Sequence, residues 1–133
     1  MKKTKLINSE ISYVIAQMGH FDTLVIADAG LPIPCGVDRI DLAVSEGVPG
    51  FLSVLEAVLS ELKVQKATVA KELQDKNPTL TESLRNAIQQ EDADFEEIPH
   101  EEFKKRTESS MAVVRTGEMQ PFANIILESG VVF

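Results

Sequence analysis

The sequence predicts a single-domain α/β fold over residues 1–133: a three-layer sandwich built on a mostly parallel sheet. Three observations lead there. Stretches with apolar residues at helical spacing alternate along the chain with short strand-like runs, the order that builds parallel sheets with helices on their faces. One strand, Thr23–Ala27, is apolar at nearly every position, as expected where both faces are covered. No internal repeat, low-complexity segment or long linker divides the chain, whose length suits one core.

Asn8 or Ser9 is placed to cap a first helix. Ile11, Val14, Ile15 and Met18 then fall at i, i+3, i+4 and i+7, an amphipathic stripe. Gly19 is expected to end this helix in the left-handed conformation. The strand Thr23–Ala27 follows and runs into Asp28-Ala29-Gly30. Leu31-Pro32-Ile33-Pro34 is extended, because each proline disfavours the helical region for its predecessor. Arg39–Val44 reads as a second strand: Ile40, Leu42 and Val44 alternate with Arg39, Asp41 and Ala43, which leaves one face wetter. Gly47-Val48-Pro49-Gly50 is a turn.

Phe51, Val54, Leu55, Val58, Leu59 and Leu62 form the strongest helical stripe. A third strand is expected over Lys66–Glu72. Asn77-Pro78 combines an N-cap with proline at the first helical position, and Leu80, Leu84, Ala87 and Ile88 give the helix behind it an apolar face. Phe95–Ile98 is a short strand. Pro99-His100-Glu101-Glu102 opens another helix, with acids in the first turn where the macrodipole favours them. Ala112–Arg115 is a strand, Thr116-Gly117-Glu118 a turn, and Phe122–Leu127 the last strand, broken by Gly130. Val131-Val132-Phe133 is too apolar for a frayed tail and is expected to be buried, in the core or against another subunit.

Composition narrows the function. A net charge of −8 argues against a nucleic-acid partner. No apolar run approaches the ~18 residues that span a bilayer, and the basic start Met1–Lys5 lacks a signal-peptide apolar segment, so the expected location is cytoplasmic with no membrane insertion. The single cysteine, Cys35, offers neither a disulfide nor a thiolate zinc motif, and is expected to be a small buried residue. The acidic run Glu91, Asp92, Asp94, Glu96 and Glu97 reads as a solvated face. Dinucleotide, P-loop and nucleophile-elbow motifs are absent. With two histidines, a bound metal would need carboxylates beside His20 or His100, and no metal or cofactor is expected.

What remains is a polar set at element ends: His20, Asp28, His100, Lys104 and Asn124. Asp28 stands at the end of an apolar strand, where open α/β sheets bind ligands; it equally suits a turn in which its carboxylate binds the backbone near Gly30. His20, at the other end of the strand, suits either chemistry or a solvated helix end. His100 and Lys104 share a helix face, and a histidine at a helix start is either solvent-facing or a neutral hydrogen-bonding group.

The ordered set Gly19-His20-x-Asp22 through Asp28-Ala29, then Pro99-His100-Glu101-x-Phe103-Lys104, Arg115-Thr116-Gly117-Glu118 and Pro121-Phe122-Ala123-Asn124-Ile125-Ile126-Leu127 resembles the D-ribose pyranase family, related to the fucose mutarotases. The resemblance runs from Met1 to Phe133. It implies interconversion of the pyranose and furanose forms of free D-ribose without a cofactor. It also implies a functional link to the ribose transporter and ribokinase, and a ring-shaped homo-oligomer, a decamer of two stacked pentamers. By the family's pattern His20 is the catalytic proton donor, and Asp28, His100, Phe122, Ala123 and Asn124 line the sugar, with Lys104 close by. The family commonly has tyrosine where this chain has Phe122, so a phenolic contact is lost while stacking and backbone contacts survive.

The chemistry agrees with that implication. Opening a cyclic hemiacetal needs a proton delivered to the ring oxygen and another taken from the anomeric hydroxyl. Acid–base groups suffice, each contributing about 10²–10⁴-fold, and free histidine titrates near ~6.5. As a strand, Thr23–Ala27 spans roughly 17 Å, so His20 and Asp28 meeting at one pentose are expected to come from different subunits. The competing readings are a non-catalytic sugar-binding accessory of transport, a mutarotase of a fucose-like sugar, and a purely structural ring protein.

Overall fold

The apolar run Thr23–Ala27 becomes a strand buried on both faces, and the rest of the domain is arranged around it. The computed structural model describes residues 1–133. Its strands are β1 (Thr23–Ala27), β2 (Asp38–Asp41), β3 (Val64–Ala70), β4 (Asp94–Ile98), β5 (Ala112–Arg115) and β6 (Ile125–Ser129). They form one sheet in the order β2-β5-β1-β6-β3-β4. The pairs β2–β5, β5–β1 and β3–β4 are parallel. Only β6 is reversed, antiparallel to β1 and β3, with Thr23 opposite Glu128 and Ile26 opposite Ile125. The sheet is thus mixed but mostly parallel.

The helices are α1 (Ser9–Gln17), α2 (Phe51–Leu59), α3 (Lys71–Lys76), α4 (Pro78–Gln90) and α5 (His100–Arg106), with a 3₁₀ turn at Thr107–Ser109. Leu24 and Ile26 face the larger core, where Ile11 of α1, Phe51 and Leu55 of α2 and Leu84 and Ile88 of α4 close over the sheet. Val25 and Ala27 face the other way, with Val113, Ile126, Leu31 and Ile98, under Phe103 of α5. Burying a side chain such as Phe103 completely contributes about 1.5–3 kcal/mol. The second face holds 7 buried residues against 23 on the first, so one short helix carries the third layer.

Both expected asparagine caps form. Asn8 Oδ1 accepts from Ile11 N–H at 2.9 Å and Asn77 Oδ1 from Leu80 N–H at 3.0 Å. Other expectations need correction. Gly19 is not left-handed: α1 ends through an extended Met18, and the positive φ falls on Phe21, at 71°. The reason is a turn closed by Asp22 N–H on Gly19 C=O (3.2 Å) and by Asp22 Oδ2 on Gly19 N–H (2.8 Å). The second strand stops at Asp41, because Val44 N–H turns back to Val48 C=O at 2.9 Å. The third starts at Val64 and gives way to α3 at Lys71. The last begins at Ile125, since Phe122 has φ 65° and Asn124 N–H bonds Phe122 C=O at 2.8 Å.

Cys35 is exposed rather than buried, in the loop after Pro34. The acidic run is only partly a solvated face: Glu96 accepts from Thr68 (2.9 Å) and Arg106 (2.7 Å), tying β4 to β3 and α5. The terminal residues do not enter the core of the single chain, where Val132 is 86% and Phe133 101% exposed. No helix is long and apolar enough to cross a membrane.

Candidate functional site

The C-terminal ends of β1, β3 and β4 and the start of β6 lie at the same end of the sheet. Asp28 follows β1 directly. Its N–H donates to Asn124 Oδ1 (2.8 Å) and its Oδ2 accepts from Asn124 Nδ2 (3.0 Å). Asp28 Oδ1 accepts from Gly30 N–H at 2.9 Å, so the turn-forming role expected of an aspartate here is also present. Asn124 is buried, as is Ala123 beside it. Each Asp28 oxygen accepts one protein hydrogen bond and keeps a lone pair for a ligand.

His100 opens α5. Its N–H donates to both carboxylate oxygens of Glu72, at 3.0 and 3.2 Å, which gives this helix start a side-chain acceptor from α3. The imidazole lies between two phenylalanines: roughly parallel to Phe103 (centroids 6.1 Å apart) and edge-on to Phe122 (4.9 Å). Its Nδ1 is buried with no protein partner, so the ring's hydrogen bonding toward a ligand rests with Nε2. His100, Phe122, Asn124, Asp28, Leu31 and Pro32 line a cavity of about 220 Å³. That is below the ~300–1,000 Å³ of drug-sized sites and suits a small polar molecule. A larger cleft of about 540 Å³, with Arg115 and Glu118 in its wall, shares Asp28, Gly30 and Pro121 with it.

His20 and Lys104 do not join this cavity. Lys104 pairs with Glu101 at 2.7 Å, and that bond, with the lysine's charge, holds the Glu101 carboxyl below its ordinary range. His20 precedes β1 and so lies at the opposite end of the strand from Asp28, roughly 17 Å of extended chain away. There its Nε2 is 2.8 Å from Gln65 Oε1, while Gln65 Nε2 donates to Glu128 Oε1 at 2.8 Å. Phe21 stacks on the imidazole, with centroids 3.8 Å apart and planes 16° apart. The candidate residues therefore fall at two ends of the sheet: Asp28, His100, Phe122 and Asn124 around the cavity, with Ala123 beside them, and His20 at the other end. Sequence reasoning missed Gln65 and Glu72, which reach these histidines only through sheet register and helix placement, and Glu128, which accepts from Gln65. No group of three or more His, Cys, Asp or Glu side chains is placed to hold a metal ion.

The chain is 52% identical over 133 residues to a D-ribose pyranase of Pediococcus pentosaceus, covering all of both chains. It is 51% identical over 135 residues to that of Rhodopirellula baltica, again over the whole of both. Among solved structures, Bacillus subtilis RbsD complexed with D-ribose superposes with a TM-score of 0.95 at 41% identity, over 100% of each chain. The fucose mutarotase of Streptococcus pneumoniae in complex with L-fucose follows at a TM-score of 0.81 and 26% identity, also over 100% of each. The description of the RbsD / FucU transport protein family matches residues 1–132, and the chain belongs to that family.

Proposed function

We propose that this chain is an isomerase that interconverts the β-pyranose and β-furanose forms of free D-ribose by acid–base ring opening and reclosure. The observation that carries this reading is identity of about one half, over the full length, to curated D-ribose pyranases. The likeness to a structure holding D-ribose supports the same sugar.

In the reaction the bond from C1 to the ring oxygen breaks, and that oxygen takes a proton. The anomeric hydroxyl loses its proton and C1 becomes an aldehyde. A different hydroxyl then attacks C1 and the protons return. His20 is the proton donor in this reading. Asp28 and His100 bind sugar hydroxyls, Phe122 packs on the apolar face of the ring, and Asn124 with Ala123 holds the floor; Lys104 is a weaker candidate at the rim. A positioned acid–base group contributes about 10²–10⁴-fold.

The separation of the half-sites supports a site shared between subunits, with His20 of one copy reaching the Asp28–His100–Asn124 pocket of the next. Phe21, Val131, Val132 and Phe133, all exposed in the single chain, supply apolar surface for such a contact. The full assembly in this reading is a ring-shaped decamer of two pentamers, acting in the cytoplasm between a ribose transporter and ribokinase.

The test is proton NMR saturation transfer on equilibrated ribose with wild type and His20→Ala. Faster pyranose–furanose exchange with wild type alone supports the enzyme and its acid. Exchange unchanged by wild type points to a non-catalytic sugar-binding accessory, and equal acceleration by both proteins removes His20 from its role. The likeness to a fucose mutarotase favours running L-fucose as a second substrate.

A further inference from the structure

We propose that Gln65, oriented by Glu128, is a positioning residue for His20. It holds the neutral imidazole with its proton on Nε2, and so makes Nδ1 the atom that exchanges a proton with the sugar. The inference rests on the reading of His20 as the proton donor.

Glu128, ion-paired with Lys66 at 3.3 Å, offers only acceptor oxygens. The group 2.8 Å from it must therefore be the NH₂ end of the Gln65 amide. The other end, Oε1, then faces His20 Nε2 at 2.8 Å, and a carbonyl oxygen only accepts. Nε2 must carry the hydrogen. An amide does not give up or take a proton at ordinary pH, so proton traffic through Nε2 stops at Gln65, and Nδ1 is left for the sugar.

The local backbone builds this contact. Gln65 sits at the irregularity between Val64 and Lys66 where β3 slips against β6. Gly130 lies against it: a Cβ there would stand 3.1 Å from Gln65 Cβ, so a side chain at that position would crowd the amide. Phe21 fixes the imidazole from its face while Gln65 fixes it in plane. The charged groups around this end are Glu128 and Lys66 from the sheet and Asp22 from the turn, which binds Gly19 N–H at 2.8 Å.

The proton balance follows. As the C1–O bond breaks, imidazolium Nδ1–H gives its proton to the departing ring oxygen, while the anomeric hydroxyl passes its own proton to water, which returns one to the aldehyde oxygen on reclosure. The product is the neutral Nε2–H imidazole, the form Gln65 holds. On reclosure the attacking hydroxyl loses its proton to Nδ1, which restores the imidazolium. Gln65 thus stabilises the species that His20 becomes at each turnover.

The experiment reads the ring nitrogens of ¹⁵N-histidine-labelled protein, with His100→Asn assigning the two rings, alongside ribose exchange kinetics. Neutral His20 in wild type is expected to be protonated at Nε2; protonation at Nδ1 overturns the proposal without any variant at Gln65. In Gln65→Leu the two nitrogen signals should move toward each other, and kcat should fall about 10-fold with KM within about 2-fold, a small part of the contribution of a positioned acid. Unchanged signals and kcat in Gln65→Leu overturn the proposal. Full exchange activity in His20→Ala instead overturns the underlying reading, and the nitrogen spectrum distinguishes the two failures.

Discussion

Asn124 grips Asp28 with both ends of its amide, accepting from the Asp28 backbone at 2.8 Å and donating to its carboxylate at 3.0 Å. One side chain thereby sets both the path of the chain leaving β1 and the direction of the carboxylate. Asn124→Asp keeps the shape but places two carboxylates together, which cannot both ionise without cost. The expected result is a loss of about 1–3 kcal/mol in unfolding free energy and a raised KM for ribose. Denaturant titration and exchange kinetics check the two effects separately.

A shared site makes a combinatorial demand. His20→Ala and Asp28→Asn should each be inactive alone. Co-assembled in equal amounts, they should recover about a quarter of wild-type activity, because in a head-to-tail ring one interface in four joins the two intact halves. No recovery on mixing, with subunit exchange verified by mass spectrometry, would place each site within one chain.

Glu96 couples acid stability to the helix that carries His100. The hydrogen bond from Arg106, then that from Thr68, holds its carboxyl below the ordinary value of 4.5. A lowered folded-state pKa means the stabilisation is fully present above that value and is lost as pH falls through the folded pKa. Unfolding free energy should therefore drop below about pH 4.5 in wild type, and Glu96→Gln should flatten part of that slope. An unchanged slope in the variant would remove Glu96 from the account.

Two of the three non-glycine residues with positive φ are Phe21 and Phe122, and each contacts a histidine. The left-handed conformation costs an L-residue roughly 1–2 kcal/mol. Phe21 is 63% exposed in the single chain, so truncation loses little burial within that chain, apart from any contact it makes with a second subunit. Phe21→Gly should thus change stability by less than about 1 kcal/mol, as strain relief offsets glycine's entropy, while kcat falls because the imidazole loses its stacking partner. A large loss of stability with unchanged kcat would refute this division.

Gly117 marks where the loop after β5 passes against the backbone at Ser45 and Val48. A Cβ there would lie 2.5 Å from both carbonyl oxygens. Gly117→Ala should destabilise by at least about 1–3 kcal/mol and disturb the cleft that adjoins Asp28. Thermal melts report the first effect and ribose KM the second.

Local chemistry was legible in the sequence where local chemistry decides. Asn8 and Asn77 cap helices because their side chains reach N–H groups three residues on, and β1 shows its double burial in composition. The candidate residues were legible as an ordered set along the chain, and the placement of His20 and Asp28 at opposite ends of β1 followed from that strand's length. Gly19 misled because the turn is set by Asp22, which outweighs the usual advantage of glycine at a helix end. Gln65 and Glu72 were invisible because each meets its histidine only through packing between elements distant in sequence, as Glu128 meets Gln65, and nothing in their spacing marks them. Cys35 and the terminal residues stay exposed because the single chain's core is already filled by other side chains.

The reversed strand at the middle of the sheet has a consequence for how the domain forms. Thr23 pairs with Glu128, and β6 also supplies the inner neighbour of β3. The sheet's two halves, β2-β5-β1 and β3-β4, are joined by hydrogen bonds only through this late segment. Such long-range closure makes folding slow. Until β6 inserts, β1 and β3 both present open, strongly apolar edges, the surfaces on which chains pair with one another. Refolding yield should therefore fall as protein concentration rises, with the loss set by the interval before that one strand arrives.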